Sequence, residues 1–260
     1  MMAGYVQDTI LLFGDSITQL STGPGGLAQQ LSDVYQRKLD VLNRGFSGYN
    51  SRWAIPVFKN VFAKKSEQPN LPKVKLLTIW YGANDAVEPG GPQYVPLEEY
   101  SQNLSTLIQL VKSPSSEWYS PETRIIVLTP PPINSAQWAE FLKTLELGLD
   151  KSDRTVERTK TYADAVKEVA KKEGVAVVDV FELLWSAAGE REKALERFLT
   201  DGLHLKVEGY KLVYDALIES ISQNFPELHY DKLQTAYPDW KDLSTENYAG
   251  LVKEPLVKRH

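Results

Sequence analysis

The sequence has 260 residues, of which 42% are hydrophobic and 24% are charged, and its formal net charge is −5 at pH 7. This composition is that of a globular protein and is too polar for a membrane protein, and a negative charge without a basic block argues against nucleic acids or anionic membranes as partners. No cysteine is present, so disulfides and thiolate metal sites are excluded. The opening residues contain no apolar run long enough for a signal peptide or a membrane span, which predicts a cytoplasmic protein that acts on a small molecule.

Five strand-like runs alternate with segments of helical periodicity. This alternation predicts an α/β fold with a central five-stranded parallel sheet and helices on both faces, in a three-layer α/β/α arrangement. The runs cover residues 9–13, 40–43, 74–81, 124–129 and 175–180.

The intervening segments have apolar residues at helical spacing on one side. Helices are expected after the first and third runs, over residues 155–172 and over residues 206–223. Gly174 is expected to end the helix that precedes the fifth run. The packing face of the last helix is expected to be Val207, Tyr210, Tyr214, Leu217 and Ile221, with Val213 beside it.

The C-terminal part changes in character from about residue 225. It becomes richer in Tyr, Trp, Asp and Lys and loses its periodicity. We interpret residues 1–260 as one domain with a C-terminal extension over residues 225–260. The extension either wraps around the domain or contacts a second subunit, so a homodimer is one of two expected arrangements.

Three short motifs supply the residue types of a hydrolase. Ser16 can act as a nucleophile, Asp201 and His204 can activate it, and the Asn84 side chain and a glycine amide can stabilise an oxyanion. This combination indicates acyl transfer to water. The motifs are Gly14-Asp15-Ser16, Gly82-Ala83-Asn84-Asp85 and Asp201-Gly202-Leu203-His204.

Histidine is scarce in this chain, which restricts the choice of a general base. Only three histidines occur, and His229 and His260 lie in the polar C-terminal part. His204 is therefore the candidate base. Because the carboxyl ends of parallel strands meet at one edge of the sheet, Ser16, Gly48 and Asn84 are expected to converge there.

Each motif alone also has a structural explanation. Ser16 and Asp201 can be helix caps, Asn84 can belong to a turn, and Gly48 can be an ordinary loop glycine. Asp15 is expected to hold loop amides rather than to act on substrate.

Three further side chains are candidates for the pocket wall. Arg52 and Trp53 are candidates to line the pocket. For Trp53, packing within a helix is the alternative. Trp138 follows a Pro130-Pro131-Pro132 run and is a candidate for part of a lid.

With these residues in place, the chain resembles the SGNH hydrolase superfamily of GDSL-type esterases, and within it the isoamyl acetate-hydrolysing esterase family. Ile17 stands where the GDSL motif has leucine. The resemblance extends from about residue 9 to the region before residue 250. It is carried by ILLFGDSITQLS (10–21), NRGFSGYNSRWA (43–54), WYGANDA (80–86), GPQYVPLEEY (91–100) and TDGLHL (200–205).

The resemblance implies a flavodoxin-like fold and a serine esterase that forms an acyl-enzyme. It implies Ser16, Asp201 and His204 as catalytic residues, with oxyanion donors from the Ser16 amide, the Gly48 amide and the Asn84 side chain. It implies short-chain esters as substrates, with acetate esters of small alcohols such as isoamyl acetate foremost, and neither a cofactor nor a metal.

Other functions stay open at this point. A lysophospholipase, a thioesterase or an acyltransferase would use the same chemistry on another acyl group or acceptor. A metallophosphoesterase is less favoured, because a dinuclear site needs more histidines than the chain offers. A noncatalytic binding module is less favoured because no member of the constellation has been lost.

Overall fold

The central sheet has five parallel strands in the order β2-β1-β3-β4-β5. The computed structural model describes residues 7–145, 151–253 and 256. This strand order is that of flavodoxin-like folds, so the predicted α/β architecture is confirmed. The strands are β1 (Asp8–Gly14), β2 (Leu39–Gly45), β3 (Val74–Trp80), β4 (Arg124–Leu128) and β5 (Ala176–Val178).

The α-helices of the described ranges follow the strands or precede them as crossover connections. They are α1 (Ser16–Leu20), α2 (Leu27–Val34), α3 (Ser51–Val61), α4 (Leu97–Lys112), α5 (Ser135–Thr144), α6 (Val156–Glu173), α7 (Val180–Ala187), α8 (Val207–Asn224) and α9 (Tyr248–Leu251). None of the helices in these ranges has the length and apolar character that crossing a membrane would require.

Both faces of the sheet are covered, which explains why the strands read as continuous apolar runs. Ile10 and Leu12 of β1 belong to one buried cluster, together with residues of α2, α7 and α8. Leu11 and Phe13 belong to the other cluster, together with residues of α3, α4 and α6. Alternate side chains of one strand therefore pack in different layers.

Two boundaries depend on local capping. Gly174 ends α6 in the left-handed conformation at φ 62°, as predicted. The run expected over residues 175–180 is shorter as a strand, because the Asp179 side chain accepts a hydrogen bond from the Glu182 amide and begins α7 at Val180.

The packing face of α8 differs in part from the prediction. Val207 is 52% exposed, whereas Val213 is fully buried. Val207 is the first residue of α8. The end of this helix projects beyond the part of the sheet against which its middle turns pack. The side chain at that position is therefore left outside the core.

The C-terminal extension contacts the domain along its first part. The Ala236 amide donates to the Arg37 carbonyl at 2.6 Å, and Arg37 Nη2 donates to the Tyr237 carbonyl at 2.8 Å. Farther back, the Tyr35 hydroxyl donates to the Leu228 carbonyl at 2.9 Å. The first part of the extension therefore contacts the domain, whereas most described residues from 239 onward are exposed. The homodimer stays a prediction.

Gly45 allows α1 to pack closely against the end of β2. A Cβ atom on Gly45 would lie 2.0 Å from the Gln19 nitrogen and 2.5 Å from its Cα. These are backbone atoms that cannot rotate away. Gly45→Ala should therefore destabilise the fold by about 1 to 3 kcal/mol through overpacking, measured by urea unfolding. The matched control is Gly250→Ala, where no atom lies within 4 Å of the added carbon. Equal stability of the two variants would contradict this prediction.

Candidate active site

Three loops meet at the carboxyl edge of the sheet. Ser16 follows β1, Gly48 follows β2 and Asn84 follows β3, and these strands are neighbours in the order β2-β1-β3. The parallel register aligns the last residue of β1, Gly14, with Gly45 and Trp80. The expected convergence of the three segments therefore follows from strand pairing.

Ser16 is the first residue of α1, and Asp15 caps that helix. The Asp15 side chain accepts a hydrogen bond from the Ile17 amide at 2.9 Å. The alternative in which Ser16 is the cap is therefore wrong, and the Ser16 hydroxyl is free for another partner. The helix is held from two sides, because Tyr210 donates to the Ile17 carbonyl at 2.6 Å and Asn43 donates to the Thr18 carbonyl at 2.6 Å.

A continuous line of hydrogen-bonded side chains joins Ser16, His204 and Asp201. His204 Nε2 lies 2.9 Å from Ser16 Oγ, and His204 Nδ1 lies 2.6 Å from Asp201 Oδ2. The structure thus brings together the three residues that were predicted as catalytic. Ser16 is only 5% exposed.

Asp201 also fixes the turn that carries His204. Its Oδ1 accepts hydrogen bonds from the amides of Leu203 and His204, at 3.0 and 2.9 Å. Burial is the largest single influence on this carboxyl and acts to raise its pKa. The bonds from the His204 ring and from the two amides outweigh it, and the pKa of Asp201 is lowered overall. Asp201 is therefore an ionised carboxylate at neutral pH.

Trp138 and Gly202 set the position of this turn against α5. A Cβ on Gly202 would lie 2.5 Å from the Asn134 oxygen and from the Trp138 nitrogen, and Gly202 has φ 98°. The Trp138 ring packs edge-to-face with His204 at a centroid distance of 6.0 Å. Trp138 is 5% exposed, so it forms a buried wall beside His204 rather than a surface lid.

A hydrogen bond joins the loop that carries Gly48 to the loop that carries Asn84. Gly48 is left-handed at φ 78°. Asn84 is 4% exposed, and its Nδ2 donates one hydrogen to the Tyr49 carbonyl at 2.8 Å. A second hydrogen remains on that amide. Asp85 supports the same region, because its Oδ1 accepts from the Ser51 amide at 2.9 Å.

Arg154 was not predicted from the sequence, yet it is buried behind the site at 2% exposure. It forms an ion pair with Asp153, donates to the Ala83 carbonyl at 2.7 Å, and stacks on Trp138 with its guanidinium carbon 5.1 Å from the ring centroid. It thus links the Asn84 loop to the wall beside His204. A single arginine in a segment without a motif carries no sequence signal of such a role.

The remaining candidates lie elsewhere or have other partners. Arg52 forms a two-bond ion pair with Glu99. Trp53 is 39% exposed and packs against the Tyr49 ring at 5.9 Å, so it is not a core residue. His229 stacks on the Tyr230 ring at 4.3 Å, and His260 lies outside the described residues.

Metal-ligating side chains do not cluster within residues 7–145, 151–253 and 256. No group of three or more His, Cys, Asp or Glu side chains in these ranges is placed to hold a metal ion. The histidine and carboxylate of the site have each other as partners.

Two carboxyls beneath the site are buried completely. Burial raises the pKa of Asp15 to about 7, against the opposing effect of its bond from the Ile17 amide. Burial likewise raises the pKa of Asp85 to about 6, against the bonds that it accepts from Ser51. The negative charge of Asp85 raises the pKa of Asp15 further, because like charges repel.

The fold and site together define an SGNH-type hydrolase, with a serine, a histidine and an aspartate at the carboxyl edge of a flavodoxin-like sheet. A model of the GDSL-like lipase/acylhydrolase family matches residues 12–212. The chain belongs to this family and is an esterase of the GDSL class.

Curated relatives match over most of the chain. An isoamyl acetate-hydrolyzing esterase 1 homolog of Bos taurus is 38% identical over 237 residues, which cover 90% of this chain and 88% of the relative. The isoamyl acetate-hydrolyzing esterase of Saccharomyces cerevisiae is 34% identical, with 91% and 95% coverage. A GDSL esterase/lipase of Arabidopsis thaliana is 37% identical, with 79% and 82% coverage. The resemblance stated from the motifs is confirmed.

Solved structures share the fold at lower identity. A lipase/acylhydrolase from Enterococcus faecalis matches with a TM-score of 0.57 at 22% identity, covering 88% of this chain and 98% of that one. An acetylxylan esterase from Geobacillus stearothermophilus, as a catalytic mutant, matches with a TM-score of 0.54 at 19% identity, covering 82% and 94%.

The raised pKa of Asp15 predicts a dependence of stability on pH. In the folded protein this carboxyl keeps its proton up to about pH 7, whereas the unfolded chain loses it near 3.8. Between these values this carboxyl binds more protons in the folded state, so Asp15 contributes a fall in the free energy of unfolding as pH rises from 4 to 7.

Asp15→Asn should reduce that fall, because an amide does not ionise and its Oδ1 can still accept from Ile17. Urea unfolding at several pH values measures the slope. Asp33→Asn, which alters an exposed carboxylate on α2, is the control and should leave the slope unchanged. An unchanged slope in Asp15→Asn would show that Asp15 ionises alike in both states.

Proposed function

We propose that this protein hydrolyses short-chain carboxylic esters through an acyl-enzyme on Ser16, with acetate esters of small alcohols such as isoamyl acetate as substrates. The observation that carries the proposal is the hydrogen-bonded line from Ser16 Oγ through His204 to Asp201, with distances of 2.9 and 2.6 Å. Family membership supports the same reaction class.

His204 acts as the general base. Its Nε2 takes the hydroxyl proton of Ser16 as Oγ attacks the ester carbonyl, and its Nδ1–H donates to Asp201 throughout. The lowered pKa of Asp201 supports this role, because an ionised carboxylate selects the tautomer with the proton on Nδ1 and stabilises the imidazolium.

The negative charge of the tetrahedral intermediate is stabilised by hydrogen bonds from the Ser16 amide, the Gly48 amide and the Asn84 side chain. The second hydrogen of Asn84 Nδ2 is available for this bond, since the first is donated to Tyr49. Donors held in place before the reaction stabilise a developing charge without reorganisation in the transition state.

Collapse of the intermediate breaks the bond to the alcohol, which takes the proton from His204 Nε2 as it leaves. Water then gives a proton to His204 and attacks the acyl-enzyme. The second tetrahedral intermediate releases the acid, and the proton returns to Ser16 Oγ. Every proton in this scheme moves through one imidazole nitrogen.

The acetate-ester specificity rests on the names of relatives, two of which are isoamyl acetate-hydrolyzing esterases or homologs of them with 34 to 38% identity to this chain. A single catalytic domain over residues 1–260 with an extension over 225–260 is part of the proposal, supported by a family match that ends at residue 212. The cytoplasmic location stays a prediction.

Ser16→Ala should remove nearly all turnover, with a loss in kcat on the order of a millionfold, as for the nucleophile of other triads. His204→Ala should match it. Ser32→Ala on α2 and His229→Ala beside Tyr230 are matched controls that should keep wild-type kcat. Circular dichroism checks that each variant folds. Substantial turnover in a folded Ser16→Ala variant would contradict the proposal.

A series of p-nitrophenyl esters with increasing acyl length tests the substrate class. We expect kcat/KM to be highest for acetate or butyrate and to fall for long acyl chains. A preference for long chains would favour a lysophospholipase or thioesterase. Addition of a second alcohol identifies an acyltransferase if the transesterified product exceeds the free acid. The Ser16→Ala variant run in parallel corrects for hydrolysis that does not involve the site.

A further inference from the structure

The peptide group that carries the Gly48 amide lies between two peptide groups that are each held twice. On one side, the Phe46 carbonyl accepts from the Tyr49 amide at 3.1 Å, and the Ser47 amide donates to Gln19 Oε1 at 2.9 Å. On the other side, the Gly48 carbonyl accepts from Gln93 Nε2 at 2.8 Å, and the Tyr49 amide is the donor to Phe46. Within the described ranges, the Gly48 amide itself has no acceptor.

Glycine at this position makes such support necessary. Gly48 has no Cβ to restrict its backbone and is left-handed at φ 78°. Nothing but Gln93 Nε2, at 3.5 Å, lies within 4 Å of the place where a Cβ would be. The direction of the Gly48 amide is therefore set by bonds to neighbouring peptide groups rather than by side-chain packing.

Both glutamines come from elements that the rest of the site already fixes. Gln19 is on α1, the helix that begins with Ser16. Gln93 precedes Val95, whose amide donates to the Asp85 carbonyl at 3.3 Å and whose carbonyl accepts from the Tyr162 hydroxyl at 2.5 Å. The Gln93 carbonyl in turn accepts from Asn50 at 2.9 Å.

We propose that Gln19 and Gln93, the glutamine pair, are positioning residues that orient the Gly48 amide for oxyanion stabilisation. Gln19 holds the peptide group before the one that carries this amide, and Gln93 holds the peptide group after it. The inference rests on the proposed function, in which Gly48 is an oxyanion donor. It gives a role to Gln19 and Gln93, two residues within the segments that carry the family resemblance, that the catalytic residues leave unexplained.

The consequence is a defect confined to the transition state. The Gly48 bond strengthens when charge develops on the ester oxygen, so a misdirected amide lowers kcat and leaves substrate binding almost unchanged. A displacement of about 1 Å can cost about 100-fold in rate. The glutamine pair therefore affects the rate without contact to substrate.

The test compares Gln93→Met and Gln19→Met with Gln68→Met. Methionine keeps the length of the side chain and removes its amide. Gln68 is a matched control, because its Nε2 also donates to loop carbonyls, those of Ala63 and Tyr119 at 3.1 and 3.2 Å. It precedes β3 and so lies at the opposite edge of the sheet.

We expect Gln93→Met to lower kcat by about 10-fold to 100-fold, with KM within threefold of wild type, and Gln19→Met to lower it by a smaller factor because Gln19 is exposed. Inhibition by a boronic acid, which forms a tetrahedral adduct on serine, should weaken in the same proportion as kcat/KM. Gln68→Met should keep wild-type kcat and boronate affinity.

Three results would overturn the inference: wild-type kcat in Gln93→Met, a change in KM alone, or an equal loss in Gln68→Met. Thermal melting of each variant separates a loss of fold from a loss of rate, and Gln93→Glu serves as a second variant. Its carboxylate has the same shape but no hydrogen to donate, so its kcat should fall at least as far as in Gln93→Met. Ser16→Ala in the same assay separates failure of the proposed function from failure of the positioning role. Activity in Ser16→Ala contradicts the proposed function. An inactive Ser16→Ala beside a fully active Gln93→Met contradicts only the positioning role.

Discussion

Parallel pairing of β1 with β2 on one side and with β3 on the other is the constraint on which the site depends. The register aligns Gly14 with Gly45 and with Trp80. The three strands therefore end at the same level. Ser16, Gly48 and Asn84 each lie within four residues of the end of their strand. A shift of one strand by one residue would move its loop by about 3.3 Å and exchange the side chains that pack in the two buried layers. The buried apolar layers on both sides of the sheet thus also fix the geometry of the catalytic edge.

Asp201 shows how a short turn can combine a structural and a chemical role. One carboxylate oxygen accepts hydrogen bonds from two backbone amides, and the other accepts a hydrogen bond from the His204 ring. The helix cap that the sequence allowed for Asp201 is wrong, because Lys206 is the N-cap of α8. Asp201 instead caps the turn before that helix and also orients the ring. The cap holds the carboxylate in place, so the ring nitrogen meets an acceptor whose position does not depend on rotation of the Asp201 side chain.

Much of the fold could be predicted because its signals are local. Apolar runs and helical spacing located the strands and the helices α2, α4, α6 and α8, and a glycine after α6 marked its end. Where prediction was wrong, a contact outside the pattern decided the structure. The Asp179 cap shortened the last strand, and the position of Val207 at a helix end left it exposed. The constellation of Ser16, Asp201 and His204 could be predicted because three short motifs occur together in one chain.

The supporting residues could not be predicted in this way, because their roles exist only between distant segments. Arg154 and Gln93 each donate to the carbonyl of a loop far away in sequence, as does Tyr100, whose hydroxyl bonds the Tyr81 carbonyl at 2.9 Å. Asn84 was predicted from its motif, but its bond to the Tyr49 carbonyl is of the same kind and was not.

These four bonds share a direction: each side chain occupies a loop carbonyl. A peptide group has one donor and one acceptor on opposite sides, so a carbonyl held from within the protein turns its peptide N–H away from that contact. For the Gly48 carbonyl, that N–H belongs to Tyr49 and is donated to the Phe46 carbonyl at 3.1 Å. The four bonds therefore remove carbonyl acceptors from the edge. Such an edge favours a negatively charged oxygen over a neutral one, because fixed donors interact most strongly with the species that carries the charge. In the proposed mechanism, the preference for the transition state over the ester therefore rests partly on Arg154, Gln93 and Tyr100, which are not among the oxyanion donors.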